Sequence, residues 1–589
     1  MSKIFTTQFK TFVIDKIISA NPLFYIYLGK HTPFTNDNIP PTPADSVAES
    51  YISSYDDMIV GKLVSNTNIS YMTLRNDWAS AVGYTAYRDT TDLTGQSYYV
   101  NVVSATGYDV FKCLSNNNTV SLYPPDLTAT SPGDDIYETA DGYQWKYMYS
   151  IPTATFDLFA TQQYIPVSVN TSVSTAAVGG AVDFISIPYG GSNYDTFTTG
   201  TFQTVAVGGN TQIYTIESSA SSNNSFYIGS ALKITQGVGA GQLRVISGYS
   251  VSGSSRTVYV DQPFTTLPAT TSTYEISPHV VVVGSGTSFS GRALVNAASS
   301  NSIYKVEIIN RGSGYYYATA TAVGNTGGTS NSAQLSVIIS PEGGHGYDPI
   351  EELGGKYLCL TTTMNVGDAT ASTKVVANNN FRNIGIVVNP LLANVHLTYT
   401  GATGLFTVGE TVTQNNTQAT GVVVEDTGLK IAVTSVNGNF LSGNSSYRYI
   451  TGSVGVTPIT ATVTQVNNNG SAPLTAPTDY VNLTTRATLG SMTGAFVLDE
   501  VVTMNGNVST SNATVYYANS SQVWLTSVRG NVSNTATIQS ISTGAYGVAN
   551  SVLQPDIIRG SGKILYMENI SPINKLAGQT ETIKAIIEF

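Results

Sequence analysis

Short runs in which apolar and polar residues alternate fill most of this chain, separated by clusters of Gly, Asn, Ser and Thr. That period of two is the pattern of half-buried strands joined by tight turns. "LFYIYLG" (23–29), a short apolar run, also reads as a strand. In "DGYQWKYMYSIP" (141–152), Gln144, Lys146 and Met148 alternate with Trp145, Tyr147 and Tyr149, which predicts a strand with two distinct faces. One early stretch follows the helical period instead. In "QFKTFVIDKIISA" (8–20), Phe9, Phe12, Val13 and Ile17 fall on one face, and Pro22 stops the helix near Asn21. The last residues read as the strand-like "KILYMEN", a turn at Pro572, and a final strand in which Ile583, Ala585, Ile587 and Phe589 share one face. An apolar ending of this kind is expected to be held in a core. Its expected partner is a strand from the first 175 residues.

The make-up of these strands changes along the chain. Residues 31–150 concentrate Tyr and Trp and are more charged than the middle, which predicts the start of a compact α+β core with few helices. From about 176 to 339 and from about 396 to 549, Gly, Ser, Thr, Val and Asn dominate, and both stretches read as separate β modules. The second contains a repeat. "GLFTVGETVT" (404–413) recurs as "GAFVLDEVVT" (494–503), matching Phe406 to Phe496, Glu410 to Glu500 and Val412 to Val502; "TSVNGN" (434–439) recurs as "TSVRGN" (526–531). One β unit therefore occupies 404–440 and again 494–532. A weaker echo links 185–200 with 306–324, each read as a hairpin around a Gly-Ser turn. With two copies of each unit, paired sandwiches or barrels are favoured over a long solenoid, and the fold class is mainly β.

Charge narrows the partners. Charged residues make up 11% of the chain, and the net charge is −11 with no Lys/Arg run, so neither nucleic acid nor a membrane surface is expected as a partner. The apolar start is interrupted by Lys10, Asp15, Lys16 and Pro22, which predicts neither a signal peptide nor a membrane helix. Cys113 and Cys359 each sit in a strand-like apolar context and read as buried reduced thiols, as expected for a protein made in a reducing cytoplasm.

Candidate chemistry is sparse. No phosphate loop, zincin motif, C-x-x-C pair or nucleophile elbow occurs, and His31, His279, His345 and His396 are isolated from one another. "GGHGYDPIEELGG" (343–355) gathers His345, Asp348, Glu351 and Glu352 among glycines. These residues would suit a metal or acid–base site, but the favoured reading is a turn in which Asp348 caps a short helix. Asp134, Asp135, Glu138 and Asp141, beside Trp145 and Tyr147, offer the paired carboxylates that glycoside hydrolysis needs. The favoured reading is again a polar loop entering a strand. No catalytic, cofactor or metal residue is assigned, no cofactor is expected, and the chain reads as a non-enzyme.

Seven stretches in order carry a family resemblance: "PPTPADSV" (40–47), "RNDWASAVGY" (75–84), "YDVFKCL" (108–114), "DGYQWKYMYSIP" (141–152), "NNFRNIGIVVNPLL" (379–392), "GKILYMENISPI" (562–573) and "QTETIKAIIEF" (579–589). They resemble the dimer-forming baseplate wedge subunit of T-even-type contractile-tail bacteriophages. The resemblance implies a discontinuous core made of 1–175, 340–395 and 550–589, into which the modules 176–339 and 396–549 are inserted. It also implies a homodimeric virion protein of the tail baseplate, made in the bacterial cytoplasm, that joins other wedge proteins and takes part in assembly and rearrangement. Two further readings come from other classes. A tail-spike-like glycan depolymerase would use the 134–141 carboxylates, and a receptor-binding tail adhesin would bind host-surface glycans through the inserted modules.

Overall fold

The structure, a computed structural model, describes the chain except residues 1–4, 21, 48–51, 89–90, 128–135, 195–197, 209–210, 325–331, 366–378, 391–394, 438–439, 443–448, 468–479, 507–510, 531, 534 and 577–578. Strands hold 49% of the chain and helices 8%, so the protein is mainly β, as its pattern predicts. Two compact units divide it: residues 1–11 with 71–356, and residues 12–70 with 357–589.

In the second unit, a five-stranded sheet takes its members from widely separated parts of the sequence. Its order is Tyr480–Asn482, Met58–Leu63, Phe24–Gly29, Asn379–Val388 and Lys563–Lys575. Every residue of Phe24–Gly29 is buried, because a central strand covered on both faces needs a continuous apolar run. Lys563–Lys575 lies at the sheet edge and continues through Pro572, where a turn is expected from sequence. The register slips between Asn383↔Asn569 and Phe381↔Ile573, so proline sits in a bulge on an edge strand, where its missing N–H breaks no ladder.

The final strand, Thr580–Glu588, is present and packs Ile583, Ala585 and Ile587 against the core, but its partner differs from the expected one. It pairs in unbroken antiparallel register with Tyr357–Asn365, from Tyr357↔Glu588 to Asn365↔Thr580. The two strands match in length, and the register sets Leu358 opposite Ile587 and Leu360 opposite Ala585. The early helix also differs in its face. It spans Thr7–Ser19, buries Ile14 and packs Ile17 on the core, whereas Phe9 and Phe12 are about half exposed.

The stretch 396–549 is two closed six-stranded barrels, with Tyr480–Asn482 returning to the five-stranded sheet between them. The first barrel runs from Val395 to Asn467 and the second from Thr485 to Leu553, with the same strand order. The repeat visible in sequence covers three of the six strands in each copy. Phe406 and Phe496 fill equivalent core positions, as do Val412 and Val502. Glu410 and Glu500 are buried tie points: Glu410 accepts from Thr407 N–H (2.5 Å) and Val454 N–H (3.1 Å), and Glu500 accepts from Val497 N–H (2.8 Å). Opposite Val412 stands Gly452, where a Cβ would lie 2.3 Å from the Glu410 carboxylate. The second barrel has Ser540 there, and its hydroxyl, with those of Ser542 and Thr543, donates to Glu500. Glu500→Ala would strand these donors, and we expect a loss of about 2–3 kcal/mol in denaturant unfolding. Burial pushes the Glu500 carboxyl up, but these hydrogen bonds outweigh it and hold the pKa below normal. Its contribution is therefore present above the ordinary carboxylate range and lost in acid.

The first unit holds a four-stranded sheet in the order Tyr99–Ser104, Gly107–Ser115, Gln144–Pro152 and Ile136–Glu138. Gln144–Pro152 does not divide into a core and a solvent face. Lys146 and Met148 are as buried as Trp145, because the strand lies between two apolar clusters. A six-stranded sheet has Val182–Tyr189 at one edge, paired with Gln334–Ile339, the last of its strands in sequence. A seven-stranded sheet occupies the stretch between Val182–Tyr189 and His279–Gly284. Neither Gly-Ser echo forms a hairpin. Gly312 and Gly314 take positive φ (63° and 75°), but the strands they join, Ser302–Ser313 and Ala318–Val323, are separated by two others in the sheet.

Candidate functional site

The loop 343–355 folds as a capped turn. Asp348 accepts from the N–H groups of Ile350 and Glu351 and starts the short helix Pro349–Glu352, with Pro349 in its first turn. His345 and Glu352 leave that turn for a buried ionic network in the first unit. His345 Nε2 lies 2.5 Å from Asp183, and its Nδ1 lies 3.7 Å from Glu352, outside hydrogen-bond reach. Glu352 also accepts from Gly346 N–H (2.7 Å) and pairs with Lys112, whose ammonium sits 4.0 Å from the Tyr87 ring centroid. Lys112, Asp183, His345 and Glu352 are each less than a tenth exposed. Burial alone would raise the Glu352 pKa, but the Lys112 charge and then His345 hold it down at about 2. Asp348 and Glu351 stay outside this network. Among the described residues, no group of three or more His, Cys, Asp and Glu is placed to hold a metal ion.

Asp134 and Asp135 lie outside the described residues. Glu138 pairs with Lys305 (2.7 Å), and Asp141 accepts from the N–H groups of Leu122, Tyr123 and Tyr143. Trp145 is fully buried and stacked on Tyr143, and Tyr147 is in the same apolar cluster. These aromatic rings serve the core and present no face to a sugar. Cys113 and Cys359 are free and buried, and burial pushes both thiols up to about 12. A thiol reagent such as DTNB is expected to leave both unmodified in the native protein and to count two on unfolding; prompt native labelling would contradict this placement.

The second unit contains an arrangement the sequence does not announce. His31 is buried between the core and the second barrel, its Nδ1 2.5 Å from Asp499 and its Nε2 2.6 Å from the Thr526 hydroxyl. Carboxylate, imidazole and hydroxyl stand in the order of a hydrolase triad. Thr526 and His31, however, are 4% and 3% exposed, and the ring is wedged against Tyr516. The arrangement serves as a latch. Arg382 braces it by donating to the His31 carbonyl while gripping Asp37 bidentately (2.9 and 2.8 Å). Asp499 takes φ 66°, and the matching residue in the first barrel is Gly409, at φ 91°. The second barrel thus accepts an unfavourable backbone at the residue that reaches His31.

Beside this latch lies a cleft of about 590 Å³. Its floor is apolar, from Met58, Leu483, Leu525 and Ile557, and Arg529 and Arg559 stand over Asp56 in its wall. Burial raises the Asp56 carboxyl pKa against the pull of the two arginines.

The chain matches no protein-family model and no curated protein. Among the described residues, no helix is long and apolar enough to cross a membrane.

Proposed function

We propose that this protein is a structural subunit of a contractile-tail baseplate: a wedge component that dimerises, joins neighbouring wedge proteins and takes part in baseplate assembly and rearrangement. One observation carries the reading. Phe24–Gly29, Met58–Leu63, Asn379–Val388 and Lys563–Lys575 come from the three separated stretches assigned to the wedge-family core, and they lie together in one sheet. Two of them, Asn379–Val388 and Lys563–Lys575, contain motifs of the resemblance and pair directly. These segments lie hundreds of residues apart in the chain, and both barrels are carried on the connection between Asn379–Val388 and Lys563–Lys575; residues 71–175, also assigned to the core, fall in the other compact unit. Insertions of that size are tolerated because loop-closure cost grows slowly with length.

An assembly role also suits the chemistry. Among the described carboxylates of the two clusters, Asp348 caps a helix, Glu352 and Glu138 are held in ion pairs and Asp141 closes a turn. Light scattering on the purified chain should give twice the 62.2 kDa of one copy. A stable monomer or a trimer would contradict the dimeric wedge reading.

A further inference from the structure

We propose that the cleft beside the second barrel is a docking site for an acidic peptide segment of a partner protein, with Arg529 receiving a carboxylate and the apolar floor receiving an adjacent aliphatic side chain. The proposal deepens the assembly reading by naming the chemistry of a partner, and rests on that reading for the partner's being a protein.

Charge carries the first part of the argument. Asp56 is 9% exposed, and two guanidinium groups face it. Arg559 makes the close contact, with Nη2 on one carboxylate oxygen; Arg529 stands 3.7 Å from the other. Arg559 holds the Asp56 carboxylate in close contact, so the Arg529 guanidinium, 3.7 Å away, keeps N–H donors for an incoming carboxylate in a chain whose net charge is −11. The two arginine side chains are 60% and 45% exposed, available to a ligand rather than sealed in the fold.

The repeat carries the second part. Arg529 occupies the variable position of "TSVRGN", where the first copy, "TSVNGN", has Asn437. Lys430–Asn437 and Gln522–Arg529 occupy the same place in their barrels, so the barrel fold does not require an arginine there. The positive charge belongs to the copy that borders this cleft.

The floor carries the third. Ile558, 45% exposed, and the half-buried Val528 give the carboxylate's neighbour an apolar seat over the buried Met58, Leu483 and Ile557, and a volume of about 590 Å³ falls within the range of built ligand sites. Arginine over an apolar pocket is the arrangement by which acidic motifs are read: the guanidinium fixes a carboxylate through paired N–H groups, and the pocket discriminates the residue beside it. Free inorganic anions would use the arginine and leave the floor empty.

The test uses the full-length protein and fluorescence-labelled hexapeptides alternating Asp with Leu, with Asn/Leu and Lys/Leu versions as comparisons. We expect saturable binding of the Asp/Leu peptide, weakening with added salt, and about tenfold weaker in Arg529→Ala but unchanged in Lys563→Ala, an exposed basic residue outside the cleft. Circular dichroism on Arg529→Ala should match the parent protein. The proposal is overturned if the Asp/Leu peptide does not saturate, if the Asn/Leu version binds as well, or if Arg529→Ala leaves binding intact. Equal competition by glutarate or inorganic phosphate would also overturn it, making the cleft a small-anion site. Because these measurements do not depend on oligomeric state, their failure is distinguishable from failure of the dimeric wedge reading.

Discussion

Replacing Lys112 by methionine is expected to lower the stability of the first unit by about 3–5 kcal/mol, the cost of leaving a buried carboxylate without its partner. Lys112 is fully buried in the strand Gly107–Ser115, and Glu352, brought to it by the capped turn at Asp348, is 8% exposed. Methionine keeps most of the volume of the lysine stem and removes the charge, so the loss measures electrostatics more than packing. The pair is also linked to pH. Glu352 titrates at about 2 against an ordinary 4.5, so its contribution, about 3 kcal/mol, is present above the ordinary value and lost as pH falls toward 2. In Lys112→Met the burial that opposes the charge is no longer outweighed, and the acid-unfolding limb should move to higher pH. Adding Glu352→Gln should recover part of the loss, since the amide still accepts from Gly346 N–H while carrying no charge. Denaturant melts of the two single variants and the double variant at neutral and acid pH check all three outcomes. Equal, additive losses would mean that the pair is not coupled.

The second large effect separates the two barrels. Among the described residues, the core cluster around Phe24, Ile26 and Ile386 takes Tyr516, Tyr517 and Trp524 from the second barrel and none from the first. Tyr516 is 3% exposed there and lies against His31. Tyr516→Ala should therefore cost about 3–5 kcal/mol and loosen the second barrel from its sheet, which limited proteolysis would detect as early cleavage near Pro555. Replacing Val395–Asn467, the first barrel, by a short Gly-Ser link should leave the five-stranded sheet folded, provided that Tyr480–Asn482 is retained. If both changes unfold the unit alike, the asymmetry between the barrels is wrong.

Much of this architecture is legible in the sequence because it rests on local pattern. A continuous apolar run marks Phe24–Gly29 as a strand, the period of two marks Thr580–Glu588, and the repeat around Glu410 and Glu500 marks a β unit that occurs twice. Pairing is less legible. Thr580–Glu588 alternates as expected, yet its pattern does not reveal that Tyr357–Asn365 is its partner, because many strands here share the same alternation. The face of the early helix is misread for a related reason: Phe9 and Phe12 are apolar, and only tertiary contacts decide that Ile14 is the residue buried. At the candidate sites, the sequence contains His345 and Glu352 in one motif, but Lys112 and Asp183 lie far from it, each inside an ordinary strand. A lysine flanked by apolar residues in "DVFKCLS" is the one signal that a buried partner awaits it. His31 has no such signal. Its partners Asp499 and Thr526 follow it by more than four hundred residues, and only the docking of the second barrel unites them.

The central claim is that this discontinuous core, with its barrels, is built to hold neighbouring chains in a tail baseplate. Localising the chain in an electron-density map of the intact particle tests that most directly. The expected result is a closed ring of paired copies about the tail axis. Trimers at the tips of fibres, away from the axis, would contradict it.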